Sequence, residues 1–268
     1  MTITIGLSMP PQHGDMPQMR KTWEEADALG VDRIYTFDHF FTLVMNNPNP
    51  TFEETHGKSF EATSIQAAMA VTTTRAEVSC LVHCTAYRNP NLLADIARTI
   101  DHLSGGRFVL GIGSGWFQLD FDEYGYEFGT VGSRLKRLES DLDIIKDRWS
   151  KLNPKPLRRI PILIGGGGEK MTLRIAAKHA DAWHYFGDAE SMKRKSDILD
   201  EWCAKIGRDP KEIVRSTSVA GMAHRAALDP EEFIKLGFTD FVVHAIGPKW
   251  DLGPLREILA WRKNRAAA

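Results

Sequence analysis

Histidine is the residue type in this chain whose chemistry is most open to interpretation. Its unperturbed pKa of about 6.5 lets it give and take protons near neutrality. Four histidines fall where short β-branched runs end: His39 directly after Asp38, His83 directly before Cys84, then His184 and His244. A neighbouring carboxylate sets a histidine's tautomer or raises its pKa. Asp38 adjoins His39, yet successive side chains of an extended strand point to opposite faces, which leaves Asp38 to bond backbone or a bound cofactor. A hydrolytic metal site would need several ligands at successive strand ends. No His-x-His follows the first run and neither histidine nor lysine ends the fifth, so no metal is expected.

Two glycine-rich turns add a second kind of chemistry. Gly111-Ile112-Gly113-Ser114-Gly115 has half of a dinucleotide fingerprint, but Trp116-Phe117-Gln118-Leu119-Asp120 leads into a Tyr/Gly-rich loop and not directly into a helix. Glycine there lets backbone approach a flat ring closely. Gly165-Gly166-Gly167-Gly168-Glu169 runs into a segment of helical period. Bare N–H groups at a helix start, with the positive end of its dipole behind them, make a phosphate site, to which Lys170 and Arg174 add charge.

The elements that must position these residues follow from periodicity. Strands are expected at 2–7, 32–37, 77–84, 107–112, 161–164, 182–186, 214–221 and 239–245. Helices are expected at 17–29, 59–73, 90–103, 132–151, 170–179, 189–206, 230–236 and 254–264. Asn89-Pro90 and Asp229-Pro230 read as helix starts, Ser104-Gly105-Gly106, Gly30 and Gly207 as stops. Eight units in 268 residues leave about 33 each, close to the roughly 30 of a strand, crossover helix and connections. The expectation is α/β: a single (β/α)8 TIM barrel over 1–268, with its active site at the C-terminal ends of the strands.

Composition narrows the function classes. Lys plus Arg number 34 and Asp plus Glu 35, a formal net charge of −1, which argues against binding nucleic acid through bulk charge. No apolar run approaches the roughly 18 residues of a membrane span, and the N-terminus lacks a signal-peptide pattern, so a cytoplasmic location is expected. Cys80, Cys84 and Cys203 are too few for a disulfide framework and read as small buried apolar residues.

Taken together, the motifs resemble the luciferase-like flavin monooxygenase superfamily, specifically its branch dependent on the deazaflavin coenzyme F420. The resemblance covers nearly the whole chain. It is carried by Asp38-His39, Ala86-Tyr87-Arg88-Asn89-Pro90, Leu103-Ser104-Gly105-Gly106-Arg107 leading into Leu110-Gly111-Ile112-Gly113-Ser114-Gly115-Trp116, Tyr124-Gly125, Ile164 through Gly168, and Ala180-Asp181-Ala182-Trp183. It implies a ring held at the strand ends, its phosphate near the start of a later helix, and a non-proline cis peptide at Leu81-Val82. His39 and Asp38 are the candidate catalytic residues, His39 matching the proton donor or acceptor and Asp38 a cofactor contact. The implied cofactor-binding residues are Asp38, Leu81, Val82, Cys84, Gly113, Ser114, Gly115, Trp116, Gly165, Gly166, Gly167, Gly168 and Glu169.

The expected activity is hydride transfer between F420 and a small organic substrate. FMN-dependent monooxygenation and non-catalytic flavin binding on the same barrel stay open as alternatives, as does a barrel enzyme for phosphate ligands unrelated to flavins. Relatives commonly form homodimers through barrel helices. Two departures stand out. Trp116 occupies the position where sugar-phosphate dehydrogenases of this branch carry an acidic residue, which leaves a second acid/base role unassigned. The insertion that many relatives have after the seventh strand shrinks here to about 222–229. Residues 40–57, with Phe40, Phe41, Met45 and Phe52, have the length and composition of a substrate lid, and Trp116, Phe40 and Phe41 are candidates for an apolar wall.

Overall fold

Alternating apolar runs and helices give one parallel sheet in the computed structural model, which describes residues 2–44, 47, 50–221 and 227–267. The strands are β1 Thr4–Ser8, β2 Arg33–Thr36, β3 Glu77–Cys80, β4 His83–Cys84, β5 Leu110–Gly113, β6 Ile162–Gly165, β7 Ala182–His184, β8 Val214–Ala220 and β9 Asp240–His244. They pair in the order β3-β2-β1-β9-β8-β7-β6-β5-β4. The Val78 N–H donates to the Arg107 carbonyl and the Val109 N–H to the Val78 carbonyl, both at 3.0 Å, and these bonds close the sheet into a barrel. The expected strand 77–84 is divided into β3 and β4 at Leu81-Val82, whose peptide bond is cis, as the resemblance implies.

Helices α1 Met16–Leu29, α2 Ala62–Thr72, α3 Pro90–Leu103, α4 Gln118–Tyr124, α5 Val131–Lys151, α6 Thr172–His179, α7 Ala189–Lys205, α8 Pro230–Lys235 and α9 Gly253–Ala267 surround it. Most start at residues with a capping side chain: Asn89 accepts from the Asn91 N–H and Asp229 from the Glu231 N–H. Helix α2 starts later than expected because Glu61 caps it, accepting from the Thr63 and Ser64 N–H groups. Helix α4 was not expected. Seven residues are too few to display a helical period, and Gly125 in the left-handed region ends it at once.

Strand alternation sorts the side chains into two cores. Ile5, Leu7, Ile34, Val78, Leu110, Ile112, Ile162, Ile164, Trp183, Phe241 and Val243 face the helices. Tyr35, Val109, Leu163, Ala182 and Val242 fill the barrel, with Leu81 and Val82 packed on them. Two residues further along each strand the interior changes character: Ala182 is followed by His184 and Val242 by His244. Among the described residues no helix is long and apolar enough to cross a membrane. Met45 and residues 222–226 lie outside the described residues.

Candidate active site

A cavity of about 590 Å³ opens where the strands end. Of the residues singled out in the sequence, Asp38, His39, Leu81, Val82, Cys84, Gly113, Ser114, Gly115, Trp116, Gly165 and Gly166 line it. The strand-end histidines His83, His184 and His244 line it too, and they are joined by Tyr87, Tyr185, Phe186 and Ser218. Its floor is Val82. A Cβ on Gly113 would lie 2.8 Å from Val82 Cγ2, and one on Gly165 2.9 Å from Cγ1, so glycine at both positions makes room for that side chain. Among the described residues no lysine or arginine lines the cavity.

His39 is held from several sides. Its Nδ1 lies 2.7 Å from Asp120 Oδ2, and its ring meets Phe37, Trp116 and Phe117 edge-on at 5.1, 5.6 and 5.5 Å between centroids. Asp120 is fully buried and also accepts from the Phe40 N–H at 3.0 Å, the Phe41 N–H at 3.3 Å and the Tyr87 hydroxyl at 3.0 Å. A carboxylate surrounded by donors only accepts. The network therefore assigns the proton to His39 Nδ1 and leaves Nε2 to exchange a proton with a molecule in the cavity. Burial and the Asp120 charge push the Tyr87 hydroxyl well above its ordinary range.

Asp38 does not partner His39. Arg88 Nη1 and Nη2 donate to its two oxygens at 2.7 and 2.8 Å and the Cys84 N–H donates at 3.0 Å. His83 Nδ1 stands 3.5 Å away, a weaker contact, while His83 Nε2 faces Gln66 Oε1 at 2.9 Å. Burial alone would raise the Asp38 carboxyl; His83 and the Arg88 fork outweigh it and hold the group well below the usual carboxylate range. Asp38, expected as a catalytic and cofactor-contacting residue, stands in the cavity wall as an anion held by Arg88. Burial pushes the Cys84 thiol up to about 12.

The opposite wall is built of histidine and serine. His184 Nδ1 lies 2.9 Å from Ser216 Oγ, its Nε2 3.4 Å from Ser218 Oγ, and Ser218 Oγ 2.8 Å from His244 Nε2. Burial pulls His184 down to about 3, so it is neutral at physiological pH.

Gly167, Gly168 and Glu169 do not reach the cavity. They line a neighbouring depression of about 430 Å³ with Lys170, Met171, Lys195 and the first turn of α5. Lys195 Nζ donates to the Gly167 carbonyl at 2.6 Å and to Glu169 Oε1 at 3.3 Å. Helix α6 starts at Thr172 with no side-chain cap and no acid in its first turn. Arg174, expected to supply charge here, instead forms a fork with Glu139 at 2.9 and 2.6 Å. The cation that sequence reading missed is Lys195.

Phe40 and Phe41 are not part of the cavity lining. Phe40 stacks on Tyr124 with centroids 3.9 Å apart, and Phe41 meets Phe52 at 5.5 Å. Gln12 ties this segment down, donating to the Phe41 carbonyl at 2.7 Å and accepting from the Leu43 N–H at 3.2 Å. Trp116 does line the cavity and is 54% exposed. Among the described residues no group of three or more His, Cys, Asp or Glu is arranged to hold a metal ion.

The chain matches the model of a family described as luciferase-like monooxygenase over residues 3–232. It is 23% identical over 255 residues to the pyrimidine monooxygenase RutA of Stutzerimonas stutzeri, covering 86% of this chain and 70% of that one. The chain spans 56% to 70% of the length of several curated relatives it matches. Among solved structures, an F420-dependent secondary alcohol dehydrogenase in complex with an F420-acetone adduct superposes with a TM-score of 0.80 at 15% identity, covering 96% of this chain and 98% of that one. Riboflavin lyase RcaE, with modified FMN and riboflavin, does so with a TM-score of 0.77 at 11% identity, covering 100% and 93%.

Proposed function

Because the chain belongs to the luciferase-like monooxygenase family, we propose that it is an oxidoreductase that transfers a hydride between the deazaflavin coenzyme F420 and a small organic substrate. His39 is the proton donor or acceptor. The observation that carries this reading is the buried Asp120 carboxylate 2.7 Å from His39 Nδ1, which fixes the ring at the cavity wall with Nε2 as its exchanging nitrogen.

The cavity suits a flat, largely apolar ring. Its volume lies within the 300–1,000 Å³ usual for small-molecule sites, and Val82 and Leu81 offer an apolar support flanked by glycine backbone. The coenzyme, when bound, supplies the hydride chemistry. Leu81, Val82, Gly113, Gly115 and Gly165 hold and orient its ring. Gly167, Gly168, the start of α6 and Lys195 suit its phosphate. Trp116 and Phe186 shield the mouth from water.

The likeness to a pyrimidine monooxygenase supports a second reading, FMN-dependent oxygenation, in which the same residues hold FMN. Coenzyme choice separates the two. Fluorescence titration of the purified protein is expected to show micromolar binding of F420 and at least tenfold weaker binding of FMN. The reverse order assigns the FMN reading, and binding of neither defeats both. His39→Ala is expected to keep coenzyme affinity within twofold while turnover of alcohols or ketones falls by roughly 10²–10⁴. Unchanged turnover would take His39 out of the reaction, and wild-type binding without turnover would favour a non-catalytic carrier.

A further inference from the structure

The buried Asp120 carboxylate divides its lone pairs evenly. Its Oδ1 accepts from the Phe40 and Phe41 N–H groups at 3.0 and 3.3 Å, and its Oδ2 meets His39 Nδ1 at 2.7 Å and the Tyr87 hydroxyl at 3.0 Å. Each oxygen has two lone pairs, so both are filled. His39 and Tyr87 thus share one oxygen. Tyr87 is fixed in that place. It ends the turn Thr85–Tyr87 after β4 and is 5% exposed. Its ring lies 4.7 Å from that of Phe40, 5.3 Å from that of Tyr126 and 5.1 Å from that of Phe121, and the Tyr126 hydroxyl donates to its carbonyl at 2.9 Å. Phenylalanine would fill the same stack, so packing does not account for the hydroxyl.

We propose that Tyr87 is a positioning residue that acts through Asp120: by donating to the oxygen that His39 uses, it weakens the pull of the carboxylate on the imidazole and sets how firmly Nε2 holds a proton. The inference rests on the oxidoreductase reading for what that proton does. A carboxylate whose charge is spread over more donors stabilises a neighbouring cation less. With the hydroxyl in place, His39 therefore gives up its proton more readily and returns to the neutral form that can take the next. Among the described residues, the other titratable groups of the cavity are Asp38 from the end of β2, His83 and Cys84 from β4, His184 and Tyr185 from β7, and His244 from β9. Asp38 is bound by Arg88, and Asp120 alone bonds the His39 ring.

Histidine ¹⁵N NMR of the full chain without coenzyme follows the His39 ring across pH, its resonances assigned from His39→Gln. Tyr87→Phe is expected to move the titration midpoint up by about 0.5 pH unit or more relative to wild type; a midpoint that stays or falls overturns the proposal. Biosynthetic replacement of tyrosine by 3-fluorotyrosine, a stronger donor that keeps the stack, is expected to lower the midpoint, and a rise overturns it. Tyr126→Phe disturbs the same stack without touching Asp120 and is expected to leave the midpoint in place; a shift equal to that of Tyr87→Phe would assign the effect to packing instead. Added to Asp120→Asn, Tyr87→Phe is expected to change nothing further, and a second shift overturns the route through Asp120. With F420 and cyclohexanol, the acid limb of kcat/KM should move up with the midpoint. Absence of turnover in wild type, with the midpoint still moved by Tyr87→Phe, defeats the oxidoreductase reading and leaves the coupling standing.

Discussion

The two ends of the barrel use charge differently. At the N-terminal end, Asp27 accepts from the backbone N–H groups of Thr74, Arg75 and Ala76 at 2.8, 3.1 and 2.7 Å, and Arg107 donates to the carbonyls of Ala70, Thr73, Ala76 and Ser104. Arg33 joins Glu77 and the Tyr35 hydroxyl across β2 and β3. Asp27 and Arg107 stand in for missing backbone partners and fasten loops, while Arg33 ties two strands together. At the C-terminal end, Asp120 and Asp38 take some backbone bonds too, but each also holds a side chain, His39 in one case and Arg88 in the other. One end closes the barrel; the other positions groups around a space. Similar residue types thus serve stability at one end and chemistry at the other, and only their partners separate the two uses.

The contrast can be broken by substitution, beginning where the loss is greatest. Arg88→Ala leaves Asp38 buried without its strongest partner and is expected to cost about 3–5 kcal/mol in urea denaturation; a loss under 1 kcal/mol would mean that water reaches the carboxylate. Asp120→Asn is expected to lower turnover about a hundredfold with coenzyme affinity unchanged, because the His39 tautomer is no longer fixed. Equal turnover would show that the aromatic neighbours orient the ring unaided. Asp27→Ala is expected to cost about 2 kcal/mol through unpaired N–H groups while leaving the kcat of the folded fraction as it was. A change in kcat would erase the division between the ends.

The smallest effect is one of pH. His184 titrates near 3 when folded and near 6.5 when unfolded, so the unfolded chain binds the extra proton in that interval and stability falls as pH drops through it. His184→Gln should remove about 1 kcal/mol of the stability lost between pH 8 and 5.5. An unaltered slope would place the acid sensitivity elsewhere.

Eight strand–helix units were legible because each strand is a short β-branched run and each helix is long enough to show its period. The His39 position was legible because it ends such a run. Its partner was not. Asp120 lies 81 residues away in a seven-residue helix without visible period, while Asp38, the carboxylate adjacent in sequence, is taken by Arg88. Arg88 stood within a motif but without a role, since only the fold brings α3's start against the end of β2. Lys195 escaped for a similar reason: it lies in the middle of α7 and meets Gly167 across 28 residues.

The seat of Val82 between Gly113 and Gly165 has a consequence for how this protein can change. A side chain at either glycine would collide with Val82 below 3 Å, so descendants of this sequence inherit the bottom of the pocket nearly unaltered. Innovation is left to its rim, where Trp116 and Phe186 are 54% and 40% exposed and their replacement disturbs little of the core. Divergence in what is accepted should accumulate there first, as should the gains of a directed-evolution library.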